Sequence, residues 1–158
     1  MWWDGMKYKE IISWVFVLIW MIIIYCLSSQ SATESSLVSS GITDRVYQLL
    51  SNVFKNIEVE ALEAFIRNIA HFTLYFILGF LLLNALHYNS LDKRNNLIIT
   101  LLVCIPYSIS DEIHQLFVPG RAFQISDIII DILGSLTGIW GFKILIGFRD
   151  LKRTNIKL

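Results

Sequence analysis

Long apolar runs alternate with short polar joints along this chain, and four of the runs are long enough to cross a bilayer. Residues 11–33 carry no Asp, Glu, Lys or Arg, and 11–27 are almost wholly apolar, close to the roughly 20 residues that a hydrocarbon core demands. A cleaved signal peptide fits poorly, because the apolar part exceeds the usual ~7–15 residues. The second run, 68–91, bears only His71 and His87 as ionisable groups of the acidic or basic kind. The third is uncharged from Asn95 to Ser110 and continues through Asp111 and Glu112 to Val118, where Pro119-Gly120 forces a turn. The fourth covers 122–142 despite Asp127 and Asp131. The pattern predicts an all-α polytopic membrane protein forming a single domain over 1–158. Its four transmembrane helices fall at about 11–29, 66–90, 96–117 and 122–143.

Residues 30–65 then form one long outer loop. Seven serines fall within residues 28–40, which reads as a polar, turn-rich exit from the first span. Ile42, Val46, Leu49, Leu50, Val53, Phe54 and Ile57 recur at helical spacing, with Asp44, Arg45, Gln48 and Lys55 on other faces. This is an amphipathic helix, lying either on the membrane surface or back against the protein's own spans. Glu58, Glu60 and Glu63 belong to a helix that continues into the second span, and Glu63 and Arg67 are four apart and able to pair.

Composition agrees with the pattern. The chain is 55% hydrophobic and 16% charged, with a mean hydropathy of +0.59. That leaves too little polar surface for a water-soluble globule. Cys26 and Cys104 both lie inside apolar runs and read as small buried hydrophobes. The formal net charge is zero and argues for no nucleic-acid partner, but its distribution sets the topology. Nine of the thirteen Lys and Arg fall in residues 1–10, in Asp92-Lys93-Arg94 and from Lys143 onward. By the positive-inside rule these segments are cytoplasmic, so both termini lie inside. The expected location is a bacterial cytoplasmic membrane.

Ionisable groups inside spans are costly and mark candidate sites. Arg67, His71, Tyr75 and Gly79 repeat every four residues, making one stripe on the second span. Asp111 and Gln115 share a face of the third, flanked by Glu112 and His114, while Asp127, Asp131, Ser135 and Gly138 line the fourth. Arg121 lies in the turn between the last two. With the N-terminus inside, every one of these groups converges on the outer half of the membrane, beside Ser28, Ser29 and Gln30. Paired carboxylates can separate into acid and base, making Asp111, Glu112 and His71 the candidate catalytic residues. Arg67, Tyr75, Gln115, Arg121, Asp127 and Asp131 are candidate ligand contacts, the arginines matching an anionic group. A divalent cation is a candidate cofactor, with Asp111, Glu112, Asp127 and Asp131 as its possible oxygen ligands. The alternative for each is an interhelical ion pair, such as Arg67–Glu112 or Arg121–Asp127, that only holds the bundle. No Gly-rich phosphate loop, His-Glu-x-x-His pair or Gly-x-Ser-x-Gly elbow is present. Pro106 is expected to kink the third span, and Gly134, Gly138 and Gly141 to let helices pack closely.

These same residues resemble the VanZ-like integral membrane proteins of bacteria. Arg67-Asn68-Ile69-Ala70-His71-Phe72 with Tyr75 and Gly79 is similar to that family's second-helix motif. The stretch from Ser110 through Asp111-Glu112-Ile113-His114-Gln115 to Pro119-Gly120-Arg121, followed by Asp127, Asp131 and Gly134, is similar to its most diagnostic part. The resemblance runs from about Ile11 to Gly141. It implies a role at the cell envelope, the founding member being associated with raised resistance to teicoplanin, a lipophilic glycopeptide. The expected partners are membrane lipids, a lipid-linked envelope precursor or a lipophilic antibiotic. An enzymatic reading, hydrolysis or transfer on a lipid-linked substrate, stands beside a binding one and a purely structural one.

Overall fold

A computed structural model describes residues 2–51, 58–88 and 92–155. Five helices follow in chain order: α1 Trp2–Ser28, α2 Ala32–Ser51, α3 Val59–Leu86, α4 Lys93–Gln115 and α5 Ile125–Asn155. The described residues contain no strand. Four segments are long and apolar enough to cross a membrane: Tyr8–Ser28 of α1, Val59–Leu86, Lys93–Gln115, and Ile125–Phe148 of α5. The shortest has 21 residues, which at 1.5 Å per residue reaches the ~30 Å of a hydrocarbon core.

Burial is inverted relative to a water-soluble protein. Ile11, Phe16, Leu18, Ile22, Leu102, Trp140 and Phe148 point outward, whereas Asp111, Glu112, Asp127, Asp131, Gln115 and Ser108 are buried. On α4 the inward residues are Asn96, Thr100, Cys104, Ser108, Asp111, Glu112 and Gln115, nearly all polar. Lipid on the outside rewards apolar side chains there, and polar groups turn inward to find partners. The chain is a multi-pass membrane protein.

Helix association without a water-driven hydrophobic effect depends on close packing. The closest pair is α3 with α5. Arg67 meets Asp127, His71 meets Asp131 and the Phe80 ring meets Phe142, in the same order along both chains, so the two helices run parallel. Small residues let their backbones touch: a Cβ on Gly134 would collide with the Phe72 carbonyl, one on Gly138 with the Phe76 carbonyl, and one on Gly79 with the Ser135 backbone. The apolar centre, where α1, α3 and α4 meet, holds Val17, Ile24, Tyr75, Leu78, Leu82, Ala85 and Cys104. Trp20 Nε1 donates to the Leu74 carbonyl at 2.9 Å and the Tyr107 hydroxyl to the Met21 carbonyl at 2.6 Å, tying α1 to α3 and α4.

Three boundaries differ from the sequence pattern. The serine-rich stretch is not a turn-rich exit: helix α2 begins within it at Ala32. Ser31 and Glu34 form a capping box there. Ser31 Oγ accepts from the Glu34 N–H at 3.3 Å, and Glu34 Oε2 accepts from the Ser31 N–H at 2.9 Å and its hydroxyl at 2.8 Å, satisfying N–H groups that a helix start leaves open. The second crossing helix starts at Val59, well inside the expected outer loop, and carries Glu60 and Glu63 as anticipated. The last helix starts later than expected, at Ile125, after the non-helical residues 121–124 that follow the turn. Helix α2 packs back on α3, with Thr43 buried and Leu37 and Leu49 exposed. The anticipated apolar positions Val53, Phe54 and Ile57 lie outside the described residues, as does Lys55. Helix α4 runs unbroken through Pro106.

Candidate functional site

One end of the bundle gathers the groups singled out above. Two loops, 29–31 and 116–124, are stitched together there. The Ala32 N–H donates to the Pro119 carbonyl at 3.1 Å, and Arg121 Nε donates to the Gln30 carbonyl at 3.3 Å. Gly120 takes φ +75, open to glycine and strained for other residues, and a side chain there would also strike Ala32 Cβ. Ser29 Oγ and His114 Nε2 lie 3.1 Å apart, and His114 stacks on Tyr25 with ring centroids at 4.7 Å. His114 therefore serves the α1–α4 contact rather than joining the carboxylates.

A cavity of about 370 Å³ opens beneath these loops. Its polar wall includes Arg67, His71, Tyr75, Asp111, Gln115 and Arg121, with Glu60, Glu63 and serines of α2 at its edge, and its apolar wall includes Ile24, Leu27, Ile42, Ile66 and Leu74. Six of the nine candidate residues thus face one cavity. The other three, Glu112, Asp127 and Asp131, form the layer behind it.

That layer is a chain of charge-assisted contacts. Arg67 Nη2 pairs with Asp127 Oδ2 at 3.2 Å, so the interhelical ion pair is Arg67–Asp127 and not the Arg67–Glu112 arrangement expected as one possibility. His71 Nδ1 meets Asp131 Oδ1 at 3.3 Å, and Ser108 donates to Asp131 Oδ2 at 2.7 Å. The other imidazole nitrogen, Nε2, lies 4.0 Å from Asp127 Oδ2. Glu112 is fully buried, and its Oε2 accepts the Gln124 N–H at 2.9 Å. His71, Glu112 and Asp127 each place a donor atom within 4.8 Å of the other two.

Several buried atoms of this region make no protein hydrogen bond, among them Arg67 Nε, Glu112 Oε1 and Gln115 Oε1. Buried polar atoms without a partner are expensive, and these three are placed to accept or donate to a bound water, ion or headgroup. Arg121, in the loop between the spans, has its pKa pulled down, first by burial and then by the nearby charge of Arg67. An arginine stays protonated under such a pull, so Arg121 keeps its positive charge at the cavity wall.

Sequence reasoning did not single out Ser108, the Gln124 N–H or the Gln30 carbonyl. Ser108 was within reach, because it precedes Asp111, Glu112 and Gln115 on one helical face. The two backbone groups carry no side-chain signal.

A family model described as VanZ/LLP1 matches residues 13–146. The chain belongs to the VanZ/LLP1 family. The match takes in all four crossing segments apart from their outermost turns, and with them every residue of this VanZ/LLP1 site. Neither a curated protein nor a solved structure gave a match.

Proposed function

We propose that this VanZ-type membrane protein binds the anionic headgroup of a lipid or lipid-linked envelope precursor, in a pocket on the outer side of the cytoplasmic membrane. The observation that carries the reading is the two-sided lining of the 370 Å³ cavity. Arg67 and Arg121 offer forked donors to a phosphate or carboxylate, while Ile24, Leu27 and Leu74 offer an apolar wall to the adjoining chain. A cavity of this size holds a headgroup and the start of an acyl or prenyl tail. The excess of Lys and Arg at the opposite end supports the outer placement. Tolerance of lipophilic glycopeptides such as teicoplanin is the phenotype such binding would alter, read as a change in inhibitory concentration on deletion.

The test uses purified protein in a neutral detergent and two short-chain probes. Dioctanoyl-phosphatidylglycerol should raise the melting temperature saturably, and dioctanoyl-phosphatidylcholine should not. Arg67→Gln and Arg121→Gln should each weaken the response about tenfold or more, the scale of one lost charged contact. Equal response to both lipids, or no loss in the variants, would overturn the reading. A short polyprenyl phosphate run beside the diacyl lipid tells the two sources of the headgroup apart.

The Ser108–Asp131–His71 chain favours one second reading, a hydrolase or transferase acting on the same bound headgroup. His71 is held from behind and lines the cavity with Asp111, as an acid–base pair requires. Arg121 would then steady the developing oxyanion. Mass spectrometry of envelope lipids from cells with and without the protein separates the readings: unchanged lipid species exclude catalysis.

A further inference from the structure

We propose that His71, Glu112 and Asp127 bind a divalent first-row transition-metal ion, zinc foremost, with Asp131 fixing the imidazole from behind. The inference concerns the wall of the headgroup pocket but stands on different residues and does not require a lipid to bind. An ionised Asp131 can only accept a hydrogen bond, so its 3.3 Å contact puts a proton on His71 Nδ1, and in the neutral imidazole the Nε2 lone pair is then free. Nε2 faces Asp127 Oδ2 at 4.0 Å, too far for a hydrogen bond. An ion bound tetrahedrally at ~2.0–2.2 Å to each atom would draw the two together by roughly half an ångström.

Carboxylate, histidine and metal in that order is how protein sites commonly orient a metal-bound imidazole. Here Ser108 holds the carboxylate in its turn, at 2.7 Å. The third ligand supplies an independent sign. Glu112 has no exposed surface, its Oε2 is taken by the Gln124 N–H, and its Oε1 is buried with no protein partner. A buried carboxylate oxygen left over beside an imidazole lone pair and a second carboxylate is a ligand set awaiting a cation.

Charge points the same way. Arg67 and Arg121 contribute two positive charges to a region holding the carboxyl groups of Asp111, Glu112, Asp127 and Asp131. With all four ionised, these carboxylates exceed the two guanidiniums by two charges, which is the charge of one divalent ion. Arg67 shares Asp127 Oδ2, and a carboxylate oxygen has lone pairs for both partners. One nitrogen and two carboxylate oxygens suit zinc better than magnesium or calcium, which take all-oxygen shells. Three protein ligands leave a position open for water or for a headgroup oxygen.

The experiment is equilibrium dialysis of chelator-stripped protein in detergent against buffered micromolar Zn²⁺, with bound metal read by elemental mass spectrometry and millimolar Mg²⁺ as competitor. Wild type should retain about one zinc per chain, as three-ligand protein sites do. His71→Ala, Glu112→Gln and Asp127→Asn should lose it, Asp131→Asn should weaken it ~10–100-fold, and the exposed control Asp44→Asn should keep it. Each variant is scored only if it elutes as a single folded species. The wild-type titration decides the matter even if variants do not fold: no zinc retained, zinc displaced by magnesium, or zinc kept by His71→Ala overturns the site. Stripped protein that still responds to dioctanoyl-phosphatidylglycerol leaves the headgroup reading standing while this one falls.

Discussion

Asp131 shows how a single buried acid is made tolerable in a bundle. It is fully buried, and both its oxygens are occupied, one by His71 on α3 and one by Ser108 on α4. Ser108 is itself fully buried, so removing its hydroxyl leaves a carboxylate oxygen unpaired away from water. Ser108→Ala should therefore cost about 1–3 kcal/mol, the penalty of an unsatisfied buried group. Ser110→Ala, an exposed hydroxyl bonded only to the Tyr107 carbonyl, should stay within about 0.5 kcal/mol. Thermal unfolding of both in one detergent compares them, and equal stabilities would show that Ser108 adds nothing to Asp131. The acids themselves were legible in the sequence, because charge inside an apolar run stands out. Their partners were not: four carboxylates and two arginines can pair in several ways, and only helix register selects Arg67–Asp127.

Helix register rests on glycine. The α3–α5 pair brings Arg67 to Asp127 and His71 to Asp131 because the helices approach until Gly134 and Gly138 lie on the Phe72 and Phe76 carbonyls. Gly138→Ala puts a methyl group into the Phe76 carbonyl and should destabilise by about 1–3 kcal/mol, the usual cost of overpacking. Gly147 has nothing within 4 Å of an added Cβ, so Gly147→Ala on the same helix should be neutral or stabilising by up to about 1 kcal/mol. Opposite signs for two identical substitutions are the measurement, and a neutral Gly138→Ala would separate site geometry from glycine packing. Helix α2 depends on its cap instead. The Ser31 hydroxyl and then its N–H hold the Glu34 carboxyl below its ordinary pKa. A lowered folded pKa stabilises above the unfolded value and ceases to do so as pH falls through the folded one. Amide exchange over residues 32–36 should accordingly speed up relative to α3 below about pH 4, and an unchanged ratio would remove the capping box from the account. The Ser-x-x-Glu spacing was present in the sequence, but the serine density around it reads as turn.

At the scale of the whole molecule, the apolar runs, their number and the end at which the polar groups gather were all readable, since a bilayer imposes a length and a charge cost that any sequence must show. What the pattern blurred was depth: Arg67, His71, Tyr75, Asp111, Gln115 and Arg121 line the cavity, while Glu112, Asp127 and Asp131 lie behind it, and helical periodicity cannot resolve two layers on one face. Orientation is the property on which an outer-leaflet pocket depends, and the positive-inside rule predicts it from nine positive residues at one end against four at the other. A direct check needs reporters that do not disturb the fold. Gly120 is unsuitable, with its φ of +75 and Ala32 against it. Ser36 is exposed on α2 and Arg94 is exposed at the start of α4, and cysteine replaces serine with almost no change in shape. In a background where the exposed Cys26 is serine and the buried Cys104 is kept, a membrane-impermeant maleimide applied to intact cells should label Ser36→Cys and spare Arg94→Cys until the membrane is opened. The reverse pattern would put the arginines and the cavity on the cytoplasmic side, where the pocket would meet inner-leaflet lipids and no external antibiotic.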